Sequence, residues 1–314
     1  MSHSVPHPVL SYHSPYLRAV LCTLCLTLTV APPLAFSRSI QLTKTFGKGL
    51  LWRVSKGGHS SYVFGTLHLA DPRALDVPEA VGRALLSSRS YVAESLPGER
   101  EAVRLFEAAQ FKDGRGLEAL IGAEAYARAA EVLRAREVPE DVIARIKPWA
   151  ALIAVIAAPR DYDDERPTLD RKLLELAREN GLRVIALENA QELVSVFDRI
   201  PLETQVKLLR HALAHRDELA ALLEPTVEAW LKRDLTGVHA FGERVARRFP
   251  EMAGDYRILF TISVEDRSAV MARRLLEPLR EGRAFVSVGA AHLYGAGGLL
   301  ALIERQGYRI ERVY

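Results

Sequence analysis

Two segments, one near each end of the chain, have the same form: a short apolar strand closed by Gly-x-x-His. The first is Tyr62-Val63-Phe64-Gly65-Thr66-Leu67-His68 and the second is Phe285-Val286-Ser287-Val288-Gly289-Ala290-Ala291-His292. Each presents an imidazole just past a strand end, and each leads into a loop, an amphipathic helix and a further strand. If both histidines serve one site, the two strand ends must meet in space. That requirement draws opposite ends of the chain into one core with helices around it, and so favours a single α/β domain over two independent ones. Neutral imidazole is the commonest protein metal ligand, so paired histidines on like scaffolds point to a divalent metal site.

The N-terminal segment reads as an export signal. Arg18 is the only full charge before residue 38, Ala19 to Ala31 is apolar, and Pro32-Pro33 then Ala35-Phe36-Ser37 follow. That is an n-region, an h-region and a small-residue cleavage site, with the signal peptide at residues 1–37 and the domain at residues 38–314. The apolar run is too short to span a bilayer comfortably, so no stable transmembrane anchor is expected. Cleavage gives a periplasmic or secreted protein. Both cysteines, Cys22 and Cys25, lie in the h-region, which leaves the mature chain without a disulfide, a thiol nucleophile or a thiolate metal site. The 42 Lys and Arg lose only Arg18 with the leader and face 39 acids. This near-neutral balance gives no electrostatic footing for nucleic acid.

Periodicity and turn chemistry divide the rest. Leu51–Val54 and Tyr62–Phe64 read as strands joined by a turn at Lys56-Gly57-Gly58-His59. Pro78 opens a helix, and Ser90–Ala93 is a strand ending at Glu94. Residues 99–158 are helical, closing with the apolar run Trp149–Ala158. Asp161–Glu165 is an acidic loop whose spacing lacks the glycine and distal glutamate of an EF-hand. Asp170–Asn180 is a helix stopped by Gly181. Arg183–Leu187 is a strand ending at Glu188, residues 202–280 are helical, and strand 284–288, helix 297–306 and strand 308–313 finish the chain.

Glu94 completes a three-group set with His68 and His292, as a third ligand or as the general base that takes a proton from water. Gly65 and Gly289 let backbone pass close to metal or substrate. Arg267 could bind a substrate carboxylate or an oxyanion, or else form a structural ion pair. Glu188 and Asp170 line the cleft or merely cap. His211 and His215 share a helix face but lack the glutamate of His-Glu-x-x-His. No Gly-x-Ser-x-Gly elbow or P-loop occurs, and Leu300 breaks the dinucleotide fingerprint at Gly295-Ala296-Gly297-Gly298.

Over residues 50–314 the chain resembles the TraB/PrgY/GumN family, related to the TIKI metalloproteases. The resemblance rests on Ser61 to His68, Glu94, Lys147-Pro148-Trp149, Leu187-Glu188, Phe197, Pro201 with Gln205, Trp230 with Asp234, and Gly289 to Gly295. Arg267-Ser268 stands where an Arg-Asn pair is usual, and Leu193 where Gln is common. The resemblance implies two small pseudo-symmetric β-sheets forming a core surrounded by many helices. It implies metal-dependent peptide hydrolysis by His68, Glu94 and His292, with Mn2+ or Co2+ favoured and Zn2+ a further candidate, on a peptide or small-molecule substrate. The rival readings are a non-catalytic binder of a signal peptide, haem or other small ligand, and an ester hydrolase of the erythromycin-esterase type. The sequence does not speak to the oligomeric state.

Overall fold

A computed structural model describes residues 46–69, 71–96, 99–156 and 168–314. The expected signal peptide, both cysteines and the acidic loop 161–165 lie outside the described residues. Among the described residues, no helix is long and apolar enough to cross a membrane.

Among the described residues six strands form the sheet: β1 (Leu51–Lys56), β2 (His59–Thr66), β3 (Ser90–Ser95), β4 (Arg183–Glu188), β5 (Ala284–Gly289) and β6 (Arg309–Arg312). The order is β4-β3-β5-β2-β1-β6. β1 runs antiparallel to both its neighbours, whereas β2, β5, β3 and β4 pair in parallel. The mixed α/β single domain agrees with expectation. The two separate sheets do not: a parallel ladder from Tyr62↔Phe285 to Thr66↔Gly289 joins the halves into one sheet. The physical reason lies in β5, Ala-Phe-Val-Ser-Val-Gly, which is buried at every position. A strand apolar on both faces belongs in the middle of a covered parallel sheet, not at an edge. Nor do the halves mirror each other, because the outer neighbour of β2 is antiparallel and that of β5 is parallel.

Phe285 sits between Phe64 and Tyr91 with ring centroids 6.3 and 6.2 Å away. This aromatic row crosses three strands and adds about 0.5–1.5 kcal/mol per ring pair beyond area burial. At the β1–β2 hairpin, Gly57 and Gly58 take φ of 58° and 83°, the left-handed pair that a two-residue turn matched to strand twist requires.

The interior divides into two apolar clusters. One surrounds the sheet. The other is helical and centres on the helix Pro148–Ile156, which is buried along nearly its whole length. Trp149 anchors the helical cluster. Its ring stacks on Phe197 at 5.2 Å, its Nε1 donates to Asp198 at 2.8 Å, and its backbone N–H donates to Gln205.

Candidate metal-binding site

The sheet order sets the site. From β2 the chain leaves towards β3, and from the adjacent β5 it leaves in the opposite direction towards β6. In open parallel sheets such a reversal opens a crevice at the carboxyl ends of the two strands. His68 follows the end of β2, His292 follows the end of β5, and Glu94 lies near the end of the next strand, β3.

Glu94 is the hub. Its Oε2 stands 3.4 Å from His68 Nε2 and its Oε1 stands 3.7 Å from His292 Nε2. Oε2 accepts the Gly289 N–H at 3.1 Å, and Oε1 accepts from Arg267. Burial alone would raise this carboxyl. The Arg267 guanidinium, followed by the two imidazoles, outweighs that and holds it well below the ordinary carboxylate range.

Each histidine has its Nδ1 engaged behind it. His68 Nδ1 donates to Asp170 Oδ2 at 2.9 Å, and Thr66 Oγ1 donates to Asp170 Oδ1 at 2.6 Å. The Ser268 hydroxyl donates to the Val264 carbonyl at 2.7 Å, so its oxygen accepts from His292 Nδ1, 2.9 Å away. Carboxylates only accept, and the Ser268 proton is already placed, so the neutral tautomer of both rings carries its lone pair on Nε2. Both Nε2 atoms are buried and, among the described residues, without a hydrogen-bond partner. For His68, burial pulls the imidazole down but the Asp170 and Glu94 carboxylates outweigh it, raising it to about 10. Its side chain is 11% exposed and that of Asp170 27%, whereas His292 is fully enclosed.

Gly289 leaves the space in front of these nitrogens open. A Cβ there would lie 2.6 Å from His68 Nε2 and 3.6 Å from Glu94 Oε2. Gly65 has a different reason: a Cβ would press on Leu293 at 2.8 Å and on Ala290 at 3.1 Å, and its carbonyl accepts from Trp230 Nε1. Gly65 therefore lets the Ala290–His292 turn lie against β2.

Arg267 is buried. Its Nε and Nη2 donate to Glu188, its Nη2 also donates to Glu94, and its Nη1 donates to the Ser263 carbonyl. It clamps the ends of β3 and β4 together, the ion-pair role rather than an open anchor for substrate. The π-helical turn Thr261–Glu265 precedes its helix, Asp266–Glu281. There the Asp266 N–H reaches back five residues to Thr261. The carbonyls of Ser263 and Val264 receive the Arg267 and Ser268 side chains. π-Bulges recur at functional sites because they re-aim side chains in this way.

Among the described residues, no three His, Cys, Asp or Glu side chains close into a ready metal cage. In donor type and aim, however, the residues present fit a divalent ion: two orphaned imidazole nitrogens, one buried carboxylate, and a volume that only glycine leaves free. Formal charge fits too. Glu94, Glu188 and Asp170 face Arg267 and, without metal, a protonated His68. Exchanging that proton for a divalent ion brings the cluster to neutrality. Sequence reasoning left Asp170 and Glu188 as caps or cleft-liners and met Ser268 only as a departure from pattern. Their signal is in long-range pairing, which no local spacing carries.

The TraB/PrgY/gumN family model matches residues 50–312. The chain is similar to "Uncharacterized protein YbaP" of Escherichia coli (strain K12), 28% identical over 141 residues, covering 43% of this chain and 47% of that protein. It is 27% identical to the protein of the same name from Shigella flexneri, with the same coverage. The chain thus spans about half the length of the curated relatives it matches. No solved structure matches it.

Proposed function

This chain belongs to the TraB/PrgY/gumN family, and from that premise we propose that it is a metal-dependent hydrolase of peptide or related amide bonds. The observation that carries the reading is the pair of Nε2 atoms, on His68 and His292, that have no hydrogen-bond partner among the described residues and face one buried glutamate. His68, His292 and Glu94 would hold the ion, with manganese or cobalt favoured by the mixed nitrogen and oxygen donors and zinc a further candidate. When bound, the ion supplies Lewis-acid chemistry towards a carbonyl and a water molecule.

The chain's own residues prepare that chemistry. Asp170 and Ser268 hold the two rings in the ligating tautomer. Gly289 keeps the approach open, and its N–H fixes one oxygen of Glu94. A carboxylate paired with a buried guanidinium is a poor proton acceptor, so Glu94 takes the ligand role rather than that of base. Arg267 holds Glu94 in place and is not a substrate anchor. The leader at residues 1–37 would put this activity in the periplasm or outside the cell.

Titration calorimetry with Mn2+ and Co2+ tests the site. One Mn2+ event is expected, lost in His68→Ala and in His292→Ala while circular dichroism keeps the native spectrum, and Co2+ binding should weaken in the same two variants. Unchanged affinity in both variants rejects the site. A peptide-library screen tests the chemistry: cleavage that needs metal and disappears in Glu94→Gln supports it. Metal uptake without any cleavage would move the protein to the class of non-catalytic ligand binders.

A further inference from the structure

A second imidazole pair lies in the helical half, apart from the sheet. His211 sits in the last turn of the helix Leu202–Ala214, and His215 is the residue that ends that helix and opens the next, Arg216–Ala221. Their ring centroids are 4.7 Å apart, tilted by 33°. As at the strand ends, each Nδ1 is engaged from behind: that of His211 with the Tyr256 hydroxyl at 3.0 Å, that of His215 with Glu218 Oε1 at 2.9 Å. The Glu218 carboxylate can only accept, so neutral His215 carries its lone pair on Nε2. Among the described residues His211 Nε2 has no hydrogen-bond partner, although the residue is only 9% exposed. A buried ring nitrogen left unpaired is destabilising unless something meets it.

The geometry of the rings suits an ion. Phe249 packs against both, with centroids 4.4 and 4.8 Å away, and so fixes their attitude from one side. The His215 side chain is 37% exposed and opens the pair to solvent. An ion about 2.1 Å from each Nε2 needs ring centroids no more than roughly 6.5 Å apart, and the observed 4.7 Å lies inside that limit.

We propose that His211 and His215 form a second metal site, for a borderline divalent cation such as Zn2+, with two imidazole nitrogens and water completing the coordination. Among the described residues no third His, Cys, Asp or Glu closes the set, so the site holds its ion less tightly than a four-ligand structural site. Its role is mechanical. A cation bridging the two rings pins the last turn of Leu202–Ala214 to the corner where the chain turns into Arg216–Ala221. Glu218 acts here as Asp170 does at the strand ends, and the Tyr256 hydroxyl, which can donate or accept, would accept from His211 Nδ1 when the ion is bound. The inference does not depend on the strand-end site.

The test is titration calorimetry with ZnCl2 on the full chain, in the wild type and in a His68→Ala/His292→Ala background. Expected is a Zn2+ event that survives in that background and weakens at least tenfold in His215→Ala. Zn2+ should also raise the Tm of the wild type more than that of His215→Ala. Because His215 is partly exposed, this variant is expected to keep the native circular dichroism spectrum and its Mn2+ uptake. Zn2+ affinity, stoichiometry and Tm shift that are all unchanged in His215→Ala overturn the proposal. So does the loss of all Zn2+ uptake in a folded His68→Ala/His292→Ala protein. A wild-type protein that shows this Zn2+ event but takes up no Mn2+ would count against the strand-end reading and support this one as independent of it.

Discussion

The ends of β2 and β5 carry the same motif and solve different problems. At β2, His68 is partly open and backed by the Asp170 carboxylate, itself held by Thr66. At β5, His292 is sealed and backed by a neutral hydroxyl whose proton is already given to Val264. The glycines diverge in the same way. Gly289 leaves room for what meets the histidines, while Gly65 leaves room for the turn that carries His292. One half of the pair is tuned by charge and the other by packing. A shared motif thus marks a shared position in the fold and says little about how each copy is supported.

The largest effect is expected where the halves join. Glu94→Gln removes a carboxylate that both imidazoles face and unbalances Arg267, at a cost of about 3–5 kcal/mol in chemical denaturation, together with loss of Mn2+ uptake. Wild-type stability in this variant would mean that the charge network is not needed. Next come the two histidines. His292→Ala leaves a sealed cavity and should cost about 2–4 kcal/mol, whereas His68→Ala, at the open end, should cost less than half as much. The reverse order in urea midpoints would break the comparison.

The glycines should separate binding from stability. Gly289→Ala is expected to lose metal affinity with little change in Tm. Gly65→Ala is expected to lose about 1–3 kcal/mol through overpacking against Leu293 while any surviving folded protein still binds. The smallest effects sharpen the electrostatics. In metal-free protein His68 stays protonated up to about pH 10, so an incoming cation must displace a proton. Mn2+ affinity should therefore rise about tenfold per pH unit from neutrality towards that value. The raised value also means that the proton's contribution to stability is fully present below pH about 6.5 and fades as pH climbs through about 10. Asp170→Asn should flatten the affinity slope and weaken binding about 10–100-fold, whereas Ser268→Ala should leave the slope unchanged.

Much of this asymmetry was beyond the reach of sequence. The strand ends, Glu94 and the hairpin glycines are local patterns, and the fold places them as read. The pairing of Tyr62 with Phe285 has no local signal, which is why one continuous sheet could be mistaken for two. Asp170 opens a helix, where acids are common for dipole reasons alone, so nothing in its neighbourhood marks it as the partner of His68. Arg267 reads equally as an anchor or a clamp until Glu188 is seen on its other side.

β5 is the fifth strand to be made and yet it separates β3 from β2. Without it the sheet would be two halves, each with an open flank, and no crevice. In the folded protein this one segment joins the halves, leads into the second imidazole and covers the flanks of both β2 and β3. Sheet continuity and the meeting of the two imidazoles thus hang on a single segment supplied late in the chain, and a copy lacking it would present bare strand edges on β2 and β3.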